Sequence, residues 1–271
     1  MIQIITDSSS NITPEEAEKL GISLMPLTIM FGTEELKDGI DIDCDMFYKR
    51  MAESRELPHT AQLTGEQIES EVKKALNDGK EVLIMPIASA LSGSFERCKT
   101  VAAKYEHVYA YDTKCTTVML KALVLEALKN ADKSIEEIIK ILDELRPRYR
   151  IYAALNTLEN LKKGGRLSKA SAIIGTVLNI KPVITFSPEG KVELISKQFG
   201  INKGIKYIVS KVQKDKIDFS KPVYLIYTAD SGNSDVLIEK LGIEYTEKLN
   251  ICPVIGTHIG PDACGIVFAE K

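Results

Sequence analysis

The sequence predicts an α/β protein with two domains, and three observations support this prediction. Short apolar runs alternate with helical segments through the first half of the chain, an order typical of a mostly parallel sheet with helices on both faces. After Arg150 the order changes to strands in closer succession, which indicates an α+β arrangement. The length of 271 residues suits two domains of ordinary size. We therefore predict domains at 1–150 and 151–271.

Local signals define the elements of the N-terminal domain. Pro14 suits the first turn of a helix, Asp43 is a candidate N-cap, and Thr64-Gly65-Glu66-Gln67 and Ser134-Ile135-Glu136-Glu137 match capping boxes. The predicted helices start at Pro14 and Asp43 and then cover about 64–77, 94–104, 117–129 and 134–147. The predicted strands are Ile2–Ile5, Leu24–Phe31, Val82–Ile87 and Val108–Tyr111, with Gly32-Thr33-Glu34-Glu35 as a turn.

The C-terminal domain combines a predicted antiparallel hairpin with further strands and helices. Ser187-Pro188-Glu189-Gly190 reads as the turn between strands Pro182–Phe186 and Val192–Ile195, and helical stretches are predicted on both sides of Gly164-Gly165. The other predicted strands are Ile151–Leu155, Val223–Tyr227, Ile251–Ile255 and Gly265–Ala269, and the other helices are Ile201–Val212 and Asp235–Leu241.

Composition and charge exclude several classes of protein. A net charge of −3 argues against a general nucleic-acid binder, for which a basic stripe is expected. No apolar run approaches the ~18–20 residues that span a bilayer, and the chain starts with a strand and not with a signal peptide. The five cysteines are scattered and form no C-x-x-C motif, which predicts reduced thiols in a cytoplasmic protein.

The stretch from Leu161 to Pro182 carries an unusual basic glycine loop. Lys162 and Lys163 precede the Gly164-Gly165 pair, and Arg166 adds a planar fork of donors suited to carboxylate or phosphate. Ser168 is a candidate N-cap for the apolar segment that follows. The loop lacks the spacing of a Walker motif. It predicts an anion site or a docking surface.

Polar residues cluster where predicted strands end or helices begin, the usual location of ligands in open α/β sheets. One loop contains Thr60, a second contains Ser92 and Gly93, and a third, glycine-rich loop after the predicted strand Ile251–Ile255 contains His258. Hydroxyl groups at helix N-termini, together with one imidazole, can hold a carboxylate through several hydrogen bonds. Taken alone, capping residues such as Thr64 are structural.

Seven motifs in order make the whole chain resemble the DegV family, whose characterised members bind fatty acids. The motifs are Thr6-Asp7-Ser8-Ser9, Asp38-Gly39-Ile40-Asp41, Thr60-Ala61-Gln62, Leu91-Ser92-Gly93-Ser94-Phe95, Lys163-Gly164-Gly165-Arg166-Leu167-Ser168, Ile180-Lys181-Pro182 and Ile255-Gly256-Thr257-His258-Ile259-Gly260-Pro261. The resemblance implies a two-domain protein that holds one long-chain fatty acid, such as palmitate, stearate or oleate, in an apolar tunnel between its domains.

The resemblance also implies a partner and a set of site residues. Proteins similar to this one present the bound acid to a separate kinase subunit of fatty acid kinase, which forms an acyl-phosphate for phospholipid synthesis; transient contact with a membrane surface is compatible with this role. The implied residues are Thr60, Ser92 and His258 for the carboxylate, Gln62, Gly93 and Thr257 as supporting loop residues, and Arg166 for the kinase. No catalytic residue, metal or other cofactor is implied.

Three segments depart from the family pattern. The first ligand loop, usually close to Thr-Ser-Gln-Pro-Ser, is Thr60-Ala61-Gln62-Leu63-Thr64 here. A frequent Lys-x-Arg-Thr sequence is replaced by Lys197-Gln198-Phe199-Gly200. The segment after Asp112 usually carries a serine and paired glycines, whereas this chain has Thr113-Lys114-Cys115-Thr116-Thr117-Val118-Met119. These changes leave the expected carboxylate residues in place.

Each buried methylene group contributes about 0.8 kcal/mol, so a chain of about 16 carbons can bind tightly through its tail. The candidate lining residues are Met25, Leu27, Ile29, Ile173, Ile174, Val177 and Leu178.

The sequence leaves two other functions open. One is a serine hydrolase with Ser92 as nucleophile and His258 as base, although the G-x-S-x-G pattern is missing. The other is a phosphocarrier or sugar-kinase-like domain in which His258 is itself phosphorylated.

Overall fold

The structure, a computed structural model, describes residues 1–167 and 180–271 and contains three β-sheets in this part of the chain. The first sheet is parallel and has the strand order β2-β1-β6-β7. Its strands are β1 (Ile2–Asp7), β2 (Ser23–Met25), β6 (Glu81–Met85) and β7 (Val108–Ala110). This sheet confirms the α/β class predicted from the alternating pattern.

A small antiparallel sheet, β4-β3-β5, lies apart from the parallel one. Its strands are β3 (Thr28–Phe31), β4 (Glu34–Lys37) and β5 (His59–Ala61). The prediction of one strand over Leu24–Phe31 is wrong, because the run divides at Pro26 into β2 and β3, which belong to different sheets. The predicted four-residue turn is also too long, since Glu34 and Glu35 already pair in β4.

Helices of the N-terminal half begin where the capping signals predict them. Asp43 accepts a hydrogen bond from the Met46 amide, and both predicted capping boxes form, at Thr64 and at Ser134. These helices are α1 (Pro14–Leu20), α2 (Cys44–Glu53), α3 (Gly65–Asn77), α4 (Ser94–Ala102), α5 (Thr117–Lys129) and α6 (Ile135–Leu145).

The third sheet has six strands in the order β10-β9-β8-β13-β11-β12 and is antiparallel except for the pair β11-β12. Its strands are β8 (Tyr149–Ala154), β9 (Ile180–Phe186), β10 (Val192–Phe199), β11 (Tyr224–Tyr227), β12 (Glu247–Asn250) and β13 (Cys264–Ala269). The helices of this half are α7 (Glu159–Lys163), α8 (Ile201–Val212), α9 (Gly232–Leu241) and α10 (Pro253–Ile259). The predicted hairpin and its turn are confirmed.

The prediction of a strand over Ile251–Ile255 is wrong, because this run starts helix α10. Pro253 occupies the first turn, where its missing N–H is not needed, and the Gly256 amide donates to the Cys252 carbonyl at 2.8 Å. His258 therefore lies in the last turn of a buried helix and not in a loop after a strand.

Alternation along the strands gives the six-stranded sheet two apolar faces. Ile151, Ala153 and Leu155 point to the core that this sheet shares with the N-terminal half, whereas Tyr152 and Ala154 pack with the residues of α8 and α9. A sheet buried on both faces in this way can form one wall of an internal cavity.

The apolar segment that follows the glycine loop, with its expected N-cap Ser168, lies outside the described residues. The boundary between 150 and 151 stays a prediction, although the six-stranded sheet begins close to it, at Tyr149. In the described ranges no helix has the length and apolar character needed to cross a bilayer. All five cysteines are free thiols.

Candidate ligand site

An apolar cavity lies between the loops of the parallel sheet and one face of the six-stranded sheet. Leu27, Ile87 and Leu91 line it from the N-terminal half. Its opposite wall is formed mostly by apolar side chains on or next to the six-stranded sheet and on α10, which are Ile151, Ala153, Leu155, Ile184, Phe186, Val192, Ile226, Val254, Ile255 and Ile259. Such a wall suits a flexible hydrocarbon chain.

Thr60 and His258 meet at one end of this cavity. Strand β5 carries Thr60, helix α10 carries His258, and the Thr60 Oγ1 lies 2.9 Å from the His258 Nε2. Both residues line the cavity. Helix α10 is held in place from two sides, since the Tyr48 hydroxyl donates to the Ile251 carbonyl before the helix and the Asn160 amide donates to the Thr257 carbonyl within it.

The imidazole of His258 is neutral at pH 7. Burial, with a smaller contribution from the nearby Arg166 guanidinium, lowers the pKa of His258 from 6.5 to about 4. Its Nδ1 is buried without a hydrogen-bond partner among the described residues. We assign the proton to Nε2, because a buried N–H without an acceptor is rarer than an unpaired acceptor. Nε2 then donates to Thr60, whose own hydroxyl hydrogen is left to donate to a ligand.

Gly164 packs closely against the His258 imidazole on its Nδ1 side. A Cβ on Gly164 would lie 2.4 Å from the His258 Nδ1 and 3.0 Å from the Asn160 carbonyl oxygen. Its neighbour Gly165 is exposed and has φ +70°, with no atom within 4 Å of such a Cβ. The two glycines therefore have different functions: Gly164 makes room for His258, and Gly165 allows the chain to turn.

Ser92 lines the cavity from the loop before helix α4. Its Oγ lies 3.0 Å from the Ser94 Oγ and accepts a hydrogen bond of 3.2 Å from the Ser94 amide. The Ser94 Oγ in turn accepts from the Leu63 amide, so its hydrogen can be directed to Ser92. In this arrangement the Ser92 hydroxyl hydrogen is available to a ligand in the cavity.

Arg166 lies at the opening of the cavity. It is half-buried, and it donates from Nε to the Leu91 carbonyl and from Nη1 to the Gly164 carbonyl. Burial lowers the pKa of the guanidinium, with no contribution from any carboxylate of the described residues. Thr60, His258 and Arg166 also line a polar surface pocket, which identifies this end of the cavity as its mouth.

Of the three supporting residues expected from the sequence, Gln62 lines the cavity, whereas Gly93 and Thr257 do not. Gln62 borders it, and with its amide oxygen toward Arg97 it accepts hydrogen bonds of 2.8 Å from Nε and Nη2. A Cβ on Gly93 would lie 1.9 Å from the Gln62 carboxamide, so Gly93 gives that side chain room. Thr257 donates to the Pro253 carbonyl and lines the outer pocket.

Among the expected lining residues that the structure describes, Leu27 borders the cavity. Met25 and Ile29 are buried in the surrounding core. Ile173, Ile174, Val177 and Leu178 lie outside the described residues.

Sequence reasoning missed residues that position others. Asn160, on helix α7, anchors helix α10, and Arg97 orients Gln62; neither belongs to a motif that singles it out. Thr116 and Thr117 stand out in the sequence only as part of a departure from the family pattern, yet both line the cavity. A run of two threonines carries no signal for such a position.

Comparison with known proteins identifies the family. The DegV family model (uncharacterised protein, DegV family) matches residues 1–271. A DegV domain-containing protein of Caldanaerobacter subterraneus is 31% identical over 283 residues, which cover 100% of this chain and 99% of that protein. The match over the full length shows that the order of motifs reflects a common family.

Two solved structures resemble the whole fold. The structure of a DegV family protein of Thermus thermophilus, described for its fatty acid binding, has a TM-score of 0.89 at 26% identity. A fatty acid binding DegV family protein of Streptococcus agalactiae has a TM-score of 0.88 at 26% identity. Each comparison covers 100% of this chain and 99% of the other. This chain belongs to the DegV family.

Proposed function

We propose that this protein binds one long-chain fatty acid in the cavity, with its carboxylate at Thr60, Ser92 and His258. The observation that carries the proposal is the contrast along the cavity, whose walls are largely aliphatic and whose mouth holds a hydroxyl, a neutral imidazole and a guanidinium. The fatty acid binding of the two similar structures supports it.

The tail and the head group contribute to binding in different ways. Burial of a tail of about 16 carbons is worth on the order of 10 kcal/mol, because each methylene contributes ~0.8 kcal/mol. The head group then needs donors that satisfy its oxygens without a strong ion pair. The free hydroxyl hydrogens of Thr60 and Ser92 meet this need, since carboxylates accept short, strong hydrogen bonds.

The position of the head group at the mouth supports presentation of the carboxylate to a kinase subunit in the cytoplasm. In this role the kinase transfers the γ-phosphoryl group of ATP to a carboxylate oxygen, which yields an acyl-phosphate and ADP. The reaction takes place in the outer pocket, where Thr60, Arg166 and His258 are shared between cavity and surface. The acyl-phosphate then supplies phospholipid synthesis.

The first test is the lipid content of the native protein. We expect purified protein to carry about one fatty acid per chain, because an acyl chain in this cavity exchanges its water contacts for aliphatic ones. Native mass spectrometry of the intact protein and mass spectrometry of its organic extract measure stoichiometry and identity. Protein that yields no lipid and takes up no added palmitate would overturn the proposal.

A second test concerns Arg166, whose predicted contact with the kinase remains part of this proposal. Arg166→Ala is expected to change palmitate affinity less than about threefold, because a half-exposed charge is screened by water. Acyl-phosphate formation with a bacterial fatty acid kinase subunit and ATP should fall at least about tenfold, since charge on the transferring phosphoryl group is then unmatched. Trapping of the product with hydroxylamine measures this rate.

Lys163→Ala is the matched control for Arg166→Ala. Lys163 is exposed at the C-terminal end of α7, three residues before Arg166, and forms an ion pair with Glu159. The control should retain both palmitate binding and most of the acyl-phosphate rate. If Arg166→Ala loses palmitate as completely as variants of the cavity, Arg166 belongs to the carboxylate site and not to the kinase contact.

The hydrogen bonds at the site do not favour the two other functions. A serine hydrolase needs its nucleophile bonded to the base. Here Ser92 bonds to Ser94, and His258 bonds to Thr60. A phosphorylated histidine needs an accessible ring nitrogen, but the Nδ1 of His258 is buried beside Gly164 and its Nε2 faces Thr60.

A further inference from the structure

The start of helix α5 places a second group of polar atoms on the wall of the cavity. Thr116 and Thr117 both line the cavity, and their exposed fractions are only 2% and 3%. The hydroxyl of Thr116 donates to the Ser9 carbonyl. The Thr117 Oγ1 is buried without a hydrogen-bond partner among the described residues. Burial of a hydroxyl without a hydrogen bond in an apolar cavity costs free energy, unless a ligand supplies the missing hydrogen bond.

The backbone adds donors at the same place. Helix α5 has 13 residues, and Thr116 makes no side-chain capping bond to its first turn. The first amides of a helix have no intrahelical acceptor, so they favour an oxygen atom nearby. Thr117 also has φ +58°, a conformation that is a genuine outlier for a β-branched residue and favours glycine. This strain is retained beside the cavity.

We propose that Thr117 and the first turn of helix α5 recognise a hydroxyl group on the acyl chain, so that the protein takes hydroxylated fatty acids. The inference rests on the proposed function. A ligand hydroxyl both donates and accepts: its oxygen accepts from a first-turn amide of α5, and its hydrogen is directed to the Thr117 Oγ1. An unsubstituted chain leaves the Thr117 hydroxyl unpaired.

The test compares stearic acid with stearic acids that carry one hydroxyl group at successive positions, using delipidated protein. We expect one positional isomer to bind at least as tightly as stearic acid, because only one position along the chain reaches Thr117. Thr117→Val keeps the shape of the side chain but removes its hydroxyl. It should weaken binding of that isomer about tenfold relative to binding of stearic acid, since the buried hydrogen of the ligand hydroxyl then has no acceptor.

Two further variants separate the hydroxyl from the backbone strain. Thr117→Ser keeps a hydroxyl and should keep the preference. Thr117→Gly relieves the left-handed strain but should lose the preference as Thr117→Val does. If every hydroxylated isomer binds more weakly than stearic acid, and by the same factor in wild type and in Thr117→Val, the inference is overturned. If wild type binds no fatty acid, stearic acid included, the proposed function itself fails and this inference with it.

Discussion

Gly164→Ala is expected to weaken palmitate binding about 10- to 100-fold while the protein stays folded. The added Cβ would lie 2.4 Å from the His258 Nδ1, so the imidazole must shift from the position in which its Nε2 contacts the Thr60 hydroxyl. Loss of ordered donors to a charged group costs ~1.5–3 kcal/mol, which corresponds to this change in affinity. Isothermal titration of delipidated protein with palmitate measures the effect. The overpacking itself should lower the free energy of unfolding by only ~1–3 kcal/mol.

Gly165→Ala is the matched control, because the same methyl group one residue later meets no atom within 4 Å. It should cost ~1 kcal/mol of stability through its left-handed backbone and leave the affinity unchanged. A double-mutant cycle tests the mechanism: in a His258→Ala background, Gly164→Ala should have little further effect on affinity. If Gly164→Ala alone binds palmitate as wild type does, His258 does not contribute to the carboxylate site.

Ser92→Ala is expected to weaken palmitate binding about tenfold and to leave hexadecanol binding nearly unchanged. The carboxylate loses one hydroxyl donor, and an unpaired buried oxygen costs ~1–3 kcal/mol. The wild-type protein should prefer the acid over the alcohol, and the variant should narrow that preference. His258→Ala should act in the same direction. Competitive displacement of a fluorescent fatty acid measures the affinities for both ligands.

Ser89→Ala is the control for loss of a serine hydroxyl. Ser89 lies in the same loop but is exposed and donates to the Asp112 carboxylate, away from the cavity lining. It should leave both affinities unchanged. Equal affinity of wild type for acid and alcohol would mean that the carboxylate is not recognised here, and the site assignment would then be wrong.

Much of the fold could be predicted because its signals are local. The capping boxes at Thr64 and Ser134 lie within one helical turn of the amides that they satisfy, so the start of each helix is visible in four residues. The βα alternation likewise indicated the parallel sheet. Two strand predictions failed at a proline, since Pro26 divides one apolar run and Pro253 starts a helix in another.

The candidate site could be predicted only as a set of residue types. The motifs singled out Thr60, Ser92 and His258, but not that Thr60 and His258 share a hydrogen bond across 198 residues of sequence. No local pattern reveals that the Thr117 hydroxyl is buried without a partner among the described residues, because the cavity that it lines is formed by residues far away in the sequence, such as Leu27 and Ile151.

The sequence by itself determined the α/β class, most helix starts, the DegV resemblance and the chemical character of the expected site. These properties follow from interactions between near neighbours and from the order of motifs along the chain. Only the tertiary structure decided that Gly164 packs against His258, that Arg166 lies at the mouth of the cavity and that Ile151 lines the cavity. Such contacts join segments far apart in sequence, and their geometry depends on how whole helices and sheets pack against one another.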